Sequence, residues 1–395
     1  MSATFRIIIV GGGIAGLAAA VALRDKQREI TVFEQASQLN EIGAGISLQP
    51  NASKIVEDWW GLKDALQQRK SAVDQGARVV YHRQDLQDVL REAATGTDRP
   101  GCPVMIRTSS RVISCDVDAG AVTLDDGSTA TADLVIAADG IKSKMRRFVL
   151  GRDQNAIPTG ISAYRFMIPM EELEAIAEFT QFINPRDEYT TMVLCHDHRL
   201  VMGPVRKGEA YSVVALVPDE TLHEDSSSTS WTSHGEKSKM LGSFSDLPEW
   251  LLKPFRNVSS LGLWQLRDLE PLETWINGRC ILIGDAAHAM LPTQGQGASQ
   301  AIEDAEALSA FFQDIQCRPS PHDVHCRLQD AFASRHDRAT LIQQYSRQQA
   351  KPATEKDSVK IKMDPEEFTS FNYTYNGAKD WLSKVQSKVQ RSNNA

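Results

Sequence analysis

The hydrophobic pattern of the first thirty-odd residues changes twice. An unbroken β-branched run up to Val10 gives way to a glycine cluster, an alanine-rich stretch from Ile14 to Leu23 follows, and a second run, Ile30-Thr31-Val32-Phe33, ends in Glu34. Strand, glycine turn, helix and strand within about 30 residues is the pattern of a βαβ unit. Two more apolar runs lie further along: Leu134 to Ala138, ending at Asp139-Gly140, and Cys280 to Ile283, ending at Gly284-Asp285. Runs without polar alternation suit parallel strands covered on both faces.

Between Ser162 and Leu263 the texture is different. Segments such as Arg199-Leu200-Val201-Met202 and Tyr211 to Val217 alternate, with glycine and proline between them. Period-two patterning predicts an antiparallel sheet and hence a second domain. The stretch Glu224 to Lys239, rich in Ser, Thr and charge, reads as an exposed loop. A helical pattern from Ala298 to Phe312 returns the chain to the first domain, which is therefore discontinuous. The expected division is a nucleotide-binding domain over 1–160 and 264–350, an inserted domain over 161–263, and a polar helical tail over 351–395 lying across the domain seam. The fold class is α/β: a Rossmann-type domain, an inserted and mainly antiparallel β-sheet domain, and a C-terminal helical segment.

Length agrees with two cores, because 395 residues exceed the ~250–300 at which a single core stops growing. The formal charge of −8, with no long basic run, argues against nucleic acid as a partner. Six scattered cysteines without CxxC spacing indicate neither a metal site nor a disulfide framework. No leader-like N-terminus and no run of ~20 apolar residues are found, so no membrane partner is expected and the cytoplasm is the default location. Nothing separates a monomer from a homodimer.

The glycine turn is the first chemical signal. In Gly11-Gly12-Gly13-Ile14-Ala15-Gly16, Gly11 allows the tight turn, Gly13 lets backbone approach a pyrophosphate, and Gly16 lets helix pack on strand. The amides around Ile14 and Ala15 open the helix, whose N-terminus favours negative charge. Glu34, at the end of the second strand, is placed to accept from ribose hydroxyls and disfavours a 2′-phosphate, so the resident ligand is FAD or NAD rather than NADP. A glycine turn alone is a weak signal; strand, helix and terminal acid in register make it specific.

A second constellation, Gly284-Asp285-Ala286-Ala287-His288 followed by Pro292, Gly295, Gly297 and Ala298, lies where a buried strand ends and a helix begins. With GGGIAG and Glu34, with AADGIKSKMRR at 137–147 and with GDAAHAMLPTQGQGASQAIEDAEAL at 284–308, the chain resembles the single-component FAD-dependent aromatic hydroxylases typified by p-hydroxybenzoate and salicylate hydroxylases. Supporting matches are Gly43-Ala44-Gly45-Ile46 with Pro50-Asn51, Tyr81-His82-Arg83-Gln84-Asp85-Leu86, and Trp264-Gln265-Leu266-Arg267-Asp268.

The resemblance, over about residues 5 to 350, implies a non-covalent FAD, a transient NAD(P)H, and hydroxylation of a small aromatic or natural-product substrate with O2 through a flavin hydroperoxide. It implies that Asp285 and Arg83 contact the ribityl or phosphate part of FAD, that Gly45 lies on the cofactor, and that the segment from Pro292 to Ala298 faces the flavin ring. It further implies that Asp139, Gly140 and Arg146 belong to a motif linked to FAD and NAD(P)H phosphates. His288 reads more simply as a packed residue than as a catalyst. The single GxGxxG implies that NAD(P)H has no Rossmann domain of its own. The same motifs would serve oxidation, epoxidation or dearomatisation, since they hold flavin and not substrate.

Two departures stand out. The stretch from Trp60-Gly61 to Tyr81-His82 is shorter than the family pattern, which leaves a catalytically impaired flavin-binding protein as an alternative. Gly203 also replaces the aromatic that commonly precedes Pro204, which implies a more open pocket. No general base is identifiable: Tyr164, His196 and His198 fall in the second domain, each more simply structural. Arg165 and Arg267 stand at strands joining the two domains.

Overall fold

The computed structural model describes residues 4–39, 45–73, 78–195, 198–221, 233–350 and 361–393. The chain begins with β1 (Phe5–Val10), α1 (Ile14–Leu23), β2 (Arg28–Phe33), β3 (Gly45–Leu48), β4 (Lys70–Val73), β5 (Val79–His82) and α2 (Arg83–Thr95). It continues through β6 (Met105–Arg107), β7 (Val112–Asp116), β8 (Ala121–Leu124), β9 (Thr129–Thr131) and β10 (Leu134–Ala137). The long strand β11 (Ile157–Pro169) opens a second group: β12 (Thr191–Leu194), β13 (Arg199–Val205), β14 (Ala210–Pro218), β15 (Ser233–His234) and β16 (Gly262–Asp268). Then come β17 (Ile276–Asn277), β18 (Cys280–Leu282), α3 (Gly297–Phe312), α4 (Pro321–Ala350), α5 (Pro365–Tyr373) and α6 (Ala378–Asn393).

The three apolar runs become neighbours. The first sheet has the order β17-β18-β10-β1-β2-β6, and β18, β10, β1, β2 and β6 are all parallel. Every residue of β10 and β18 is buried, as unbroken apolar strands require when both faces are covered. Against this sheet packs α1, and on α1 packs α3, which contributes Ile302, Ala305 and Leu308 to the larger core.

The second sheet, β12-β13-β14-β11-β16-β15, is antiparallel throughout. One face carries Tyr164, Phe166, Leu200, Met202, Val213 and Leu263 into a separate core closed by Met240, Phe244, Leu251 and Phe255. The opposite face turns toward the first sheet and packs Ala163, Leu216 and Leu266 against Leu291. Two smaller sheets, β3-β5-β4 and β7-β8-β9, complete the β structure. The shortened stretch 61–81 thus still supplies β4 and most of β5, and β4 packs against β13.

Two expectations need correction. Among its described residues the tail covers helices and not the seam: α6 packs on α3 and α4, Phe368 stacks on Tyr345 with ring centroids 3.7 Å apart, and the Tyr375 hydroxyl donates to Glu306. Aromatic side chains at that spacing found a helical surface to cover instead of the domain boundary. Gly203 does not open a pocket either, because a Cβ there would stand 3.2 Å from the Tyr189 carbonyl oxygen, so the chain itself occupies that space. Of the expected loop Glu224–Lys239, residues 224–232 lie outside the described residues; after them come β15 and a short helix, Lys237–Ser243. Gly43, Ala44 and His196 also lie outside them.

Candidate active site

The glycine turn is built as its sequence requires. Gly11 has φ +106 and Gly16 faces it so closely that a Cβ would stand 2.0 Å from the Gly11 carbonyl oxygen. Gly13 is the opposite case, with no atom within 4 Å of the place a Cβ would occupy. Gly13 precedes α1, which has neither a capping side chain nor an acid in its first turn. Its leading N–H groups are therefore open to an anion. Ile14 points into the core and Ala15 is half-buried, so their backbone, not their side chains, faces outward. Glu34 closes the turn: its carboxylate accepts from Gly12 N at 2.7 Å and Ala36 N at 2.7 Å.

Two of the other motifs meet this turn, and Gly45 and Gly295 lie at the small sheet. Gly284, at φ +58, lies against Ala15, while the neighbouring Asp285 side chain is exposed. Arg83 begins α2, half-buried; one turn on, the Gln87 amide donates to Gly12 O at 3.1 Å and Gln84 to Leu39 O at 3.0 Å. Gly45, paired with His82, donates its N–H to Ser212 Oγ across 3.4 Å and so ties the small sheet to the second one. Past Pro292, which starts a single 3-10 turn, Gly295 adopts φ +62, where a Cβ would stand 3.0 Å from Ser47 Oγ. Gly297 has open space beside it and starts α3 with Ala298, again with no capping side chain and no acid in the first turn.

The residues fit a flavin dinucleotide. Two uncapped helix N-termini, two glycines with open space, an exposed aspartate and a half-buried arginine supply the groups such a cofactor needs, and the glycine and aspartate turns both stand at the carboxyl ends of parallel strands. That is where ligands of open α/β sheets bind. A second helix N-terminus at the far end suits the negative charge of a reduced flavin.

Two predicted residues have other duties. Asp139 turns one carboxylate oxygen onto its own loop, accepting from Lys144 N at 2.7 Å and Met145 N at 3.0 Å, and burial holds its pKa above the ordinary carboxylate value. Arg146 is buried and spends its guanidinium on carbonyls: Ala286 at 2.9 Å, Gln154 at 2.9 Å, Ile141 at 3.2 Å and Asp285 at 3.3 Å. It staples the loop after β10 to the aspartate turn, and its guanidinium is spent there on carbonyls.

The candidate bases also face away. Tyr164 is fully buried in the second core beside Phe244, and His198 Nε2 bonds Ser243 O at 2.5 Å. His288 is buried against Trp275 and pairs with Asp304 at 2.6 Å, as a packed residue would. Arg165 lies over the Trp264 ring at 5.1 Å on the inward face of the second sheet, and Arg267 donates to Ala156 O at 3.3 Å.

Sequence reasoning missed a buried polar layer beneath the aspartate turn. Asp304 accepts from Gly284 N at 2.9 Å and from Arg335 Nε at 3.0 Å as well as pairing with His288. Glu303 takes both arms of Arg338, at 2.8 and 2.9 Å, Asn51 at 2.6 Å, and Arg335. Burial raises the cost of both carboxylates, but the facing cations overcome it and hold both below the ordinary range. Arg335 and Arg338, three apart on α4, were the available signal: two arginines on one face of a helix whose neighbours on that face are Ala331 and Ile342.

A parallel Rossmann-type sheet that carries the glycine and aspartate turns, joined to a second, antiparallel sheet, is the architecture of a flavoprotein oxidoreductase. Residues 42–313 match the family described as "FAD binding domain", and residues 9–40 the "NAD(P)-binding Rossmann-like domain". The chain belongs to the FAD binding domain family and is an FAD-dependent monooxygenase by class. It is 33% identical over 366 residues to the FAD-dependent monooxygenase cfoG of Aspergillus candidus, covering 85% of this chain and 83% of that one. To hispidin-3-hydroxylase of Neonothopanus nambi it is 28% identical over 369 residues, 85% of this chain and 86% of the relative. A salicylate hydroxylase solved as a substrate complex superposes with a TM-score of 0.78 at 26% identity, over 96% of this chain and 98% of that one.

Proposed function

We propose that FAD lies extended between the two turns, its pyrophosphate at Gly11, Gly13 and Gly16 and the start of α1, its adenosine ribose at Glu34. Arg83 and Asp285 hold the ribityl side, and the segment Pro292, Gly295, Gly297 and Ala298 backs the ring, with Gly45 beside it. Asp139 acts on the cofactor only through the loop it shapes. The observation that carries this reading is the contact of Gly284 with Ala15, which makes the two motifs one site.

Bound FAD, reduced by a visiting NAD(P)H, supplies the oxygen chemistry. The chain's own part is to fix the ring by backbone donors at the start of α3 and to place a small aromatic or natural-product molecule between that ring and the inward face of the second sheet. The relatives support this substrate class: their names specify hispidin and salicylate as what they hydroxylate.

Purified protein loaded with FAD, supplied with NADH or NADPH in air and offered phenols, aromatic acids and larger polyketides, should consume nicotinamide faster with a substrate and give a product heavier by one oxygen atom. A preparation that takes up no FAD, or a product that has only lost hydrogen, would overturn the reading.

A further inference from the structure

The inward face of the second sheet can be read as rows of side chains directly opposite one another. One row is Leu194, Arg199, Leu216, Ala163 and Trp264. Leu291 packs on it, and Arg199 donates to Gln349 O at the end of α4. A row four residues away is Gly203, Ser212 and Met167. Gly45 bonds Ser212 there, and the Tyr189 carbonyl backs Gly203. Between these lies Met192, Val201, Val214 and Arg165.

This middle row runs between β3 on one side and Leu291 on the other, elements that meet where Gly295 approaches Ser47. Its inner end therefore faces the segment assigned to the flavin ring. Arg165, Val214 and Val201 are half-buried, but at the edge strand Met192 is 55% exposed and Leu194, in the adjacent row, 67%. Exposed apolar side chains side by side at the end of a half-buried track mark a binding surface more than a solvated edge. Three strand spacings separate Arg165 from Met192, about 14 Å.

We propose that the substrate is an elongated amphiphile whose aromatic ring lies at the inner end of this track and whose apolar extension runs over Val214 and Val201 to a rim formed by Met192 and Leu194. The occupant is the substrate's own tail, because the rim continues the wall of the site; the inference rests on the site proposed above. Methionine suits such a rim, since its unbranched thioether adapts to different tails.

A series of 4-alkylphenols, methyl to heptyl, titrated calorimetrically into the FAD-loaded protein tests this. Each added methylene should tighten Kd about three- to fourfold until the tail passes the rim. In the double variant Met192→Ser with Leu194→Ser, the pentyl and heptyl members should lose about tenfold while the methyl member binds unchanged; both positions are exposed, so the fold is not at stake. Chain-length dependence that is absent, or identical in wild type and variant, overturns the proposal. So does a rim that proves to be the contact between two copies, seen as a change of oligomeric state in the variant. FAD content and nicotinamide oxidation, measured on the same preparations, report separately on the flavin site.

Discussion

Gly284 and Ala15 meet so closely that a Cβ on Gly284 would stand 2.8 Å from the Ala15 methyl carbon, and Ala301 bounds the other side at 3.4 Å. Residue 284 also has φ +58, a backbone region that side chains disfavour. Both requirements exclude any larger residue. The contact joins the first helix to the end of β18, and so ties the glycine turn to the aspartate turn.

The glycines of the first turn should separate stability from cofactor binding. Gly16→Ala forces a methyl onto the Gly11 carbonyl oxygen and should cost about 1–3 kcal/mol, read as a lower Tm with or without FAD. Gly13→Val adds volume where the protein itself has none nearby, so the apoprotein should melt close to wild type while FAD is no longer retained. Normal FAD content in the Gly13 variant would remove the pyrophosphate from this turn.

Asp285→Ala should weaken FAD retention about tenfold or more, the scale of one charge-assisted hydrogen bond. The side chain is exposed and its backbone carbonyl still accepts from Arg146, so circular dichroism should be unchanged. Gel filtration that leaves the variant fully yellow would refute the assignment.

Arg146 offers a test between two roles. Arg146→Lys replaces a fork that reaches four carbonyls by one ammonium that cannot span them, and should lower stability by about 1–3 kcal/mol, with FAD affinity falling in parallel. Were the residue a nicotinamide phosphate ligand, as the motif suggested, Tm would hold and KM for NAD(P)H alone would rise.

What the sequence made legible was periodicity and glycine. Unbroken runs located β1, β10 and β18, and alternation located β13 and β14, since burial on two faces or one leaves a direct imprint on hydrophobicity. Gly11, Gly16 and Gly284 were readable because close approach excludes every other residue there. For Arg146 and Asp139 the sequence could not show the loop contacts, because a buried staple and a ligand contact demand the same residue types; only the direction of the side chain separates them. The Glu303-Arg338 layer left one local signal, two arginines on an otherwise apolar helix face, but not their partners, which lie 35 residues away on another helix where local patterns carry no information on pairing.

Asp304 should leave a mark on the acid side of the stability profile. Burial opposes its charge, but His288 and Arg335 hold its pKa down at about 2, from an ordinary 3.8. The unfolded chain therefore takes up this proton first as pH falls, so the contribution is complete above about pH 4 and is lost between there and pH 2, on the order of 2 kcal/mol. Asp304→Asn removes the titrating group, so the variant should be less stable at pH 7 and show a shallower decline of Tm from pH 4 to 2. It should also bind FAD more weakly at neutral pH, because the amide cannot meet Gly284 N, His288 and Arg335 together as the carboxylate does. Identical acid limbs in wild type and variant would place the acid sensitivity elsewhere, whereas a steeper limb in wild type, with weaker flavin retention in the variant, ties the buried layer to the turn it supports.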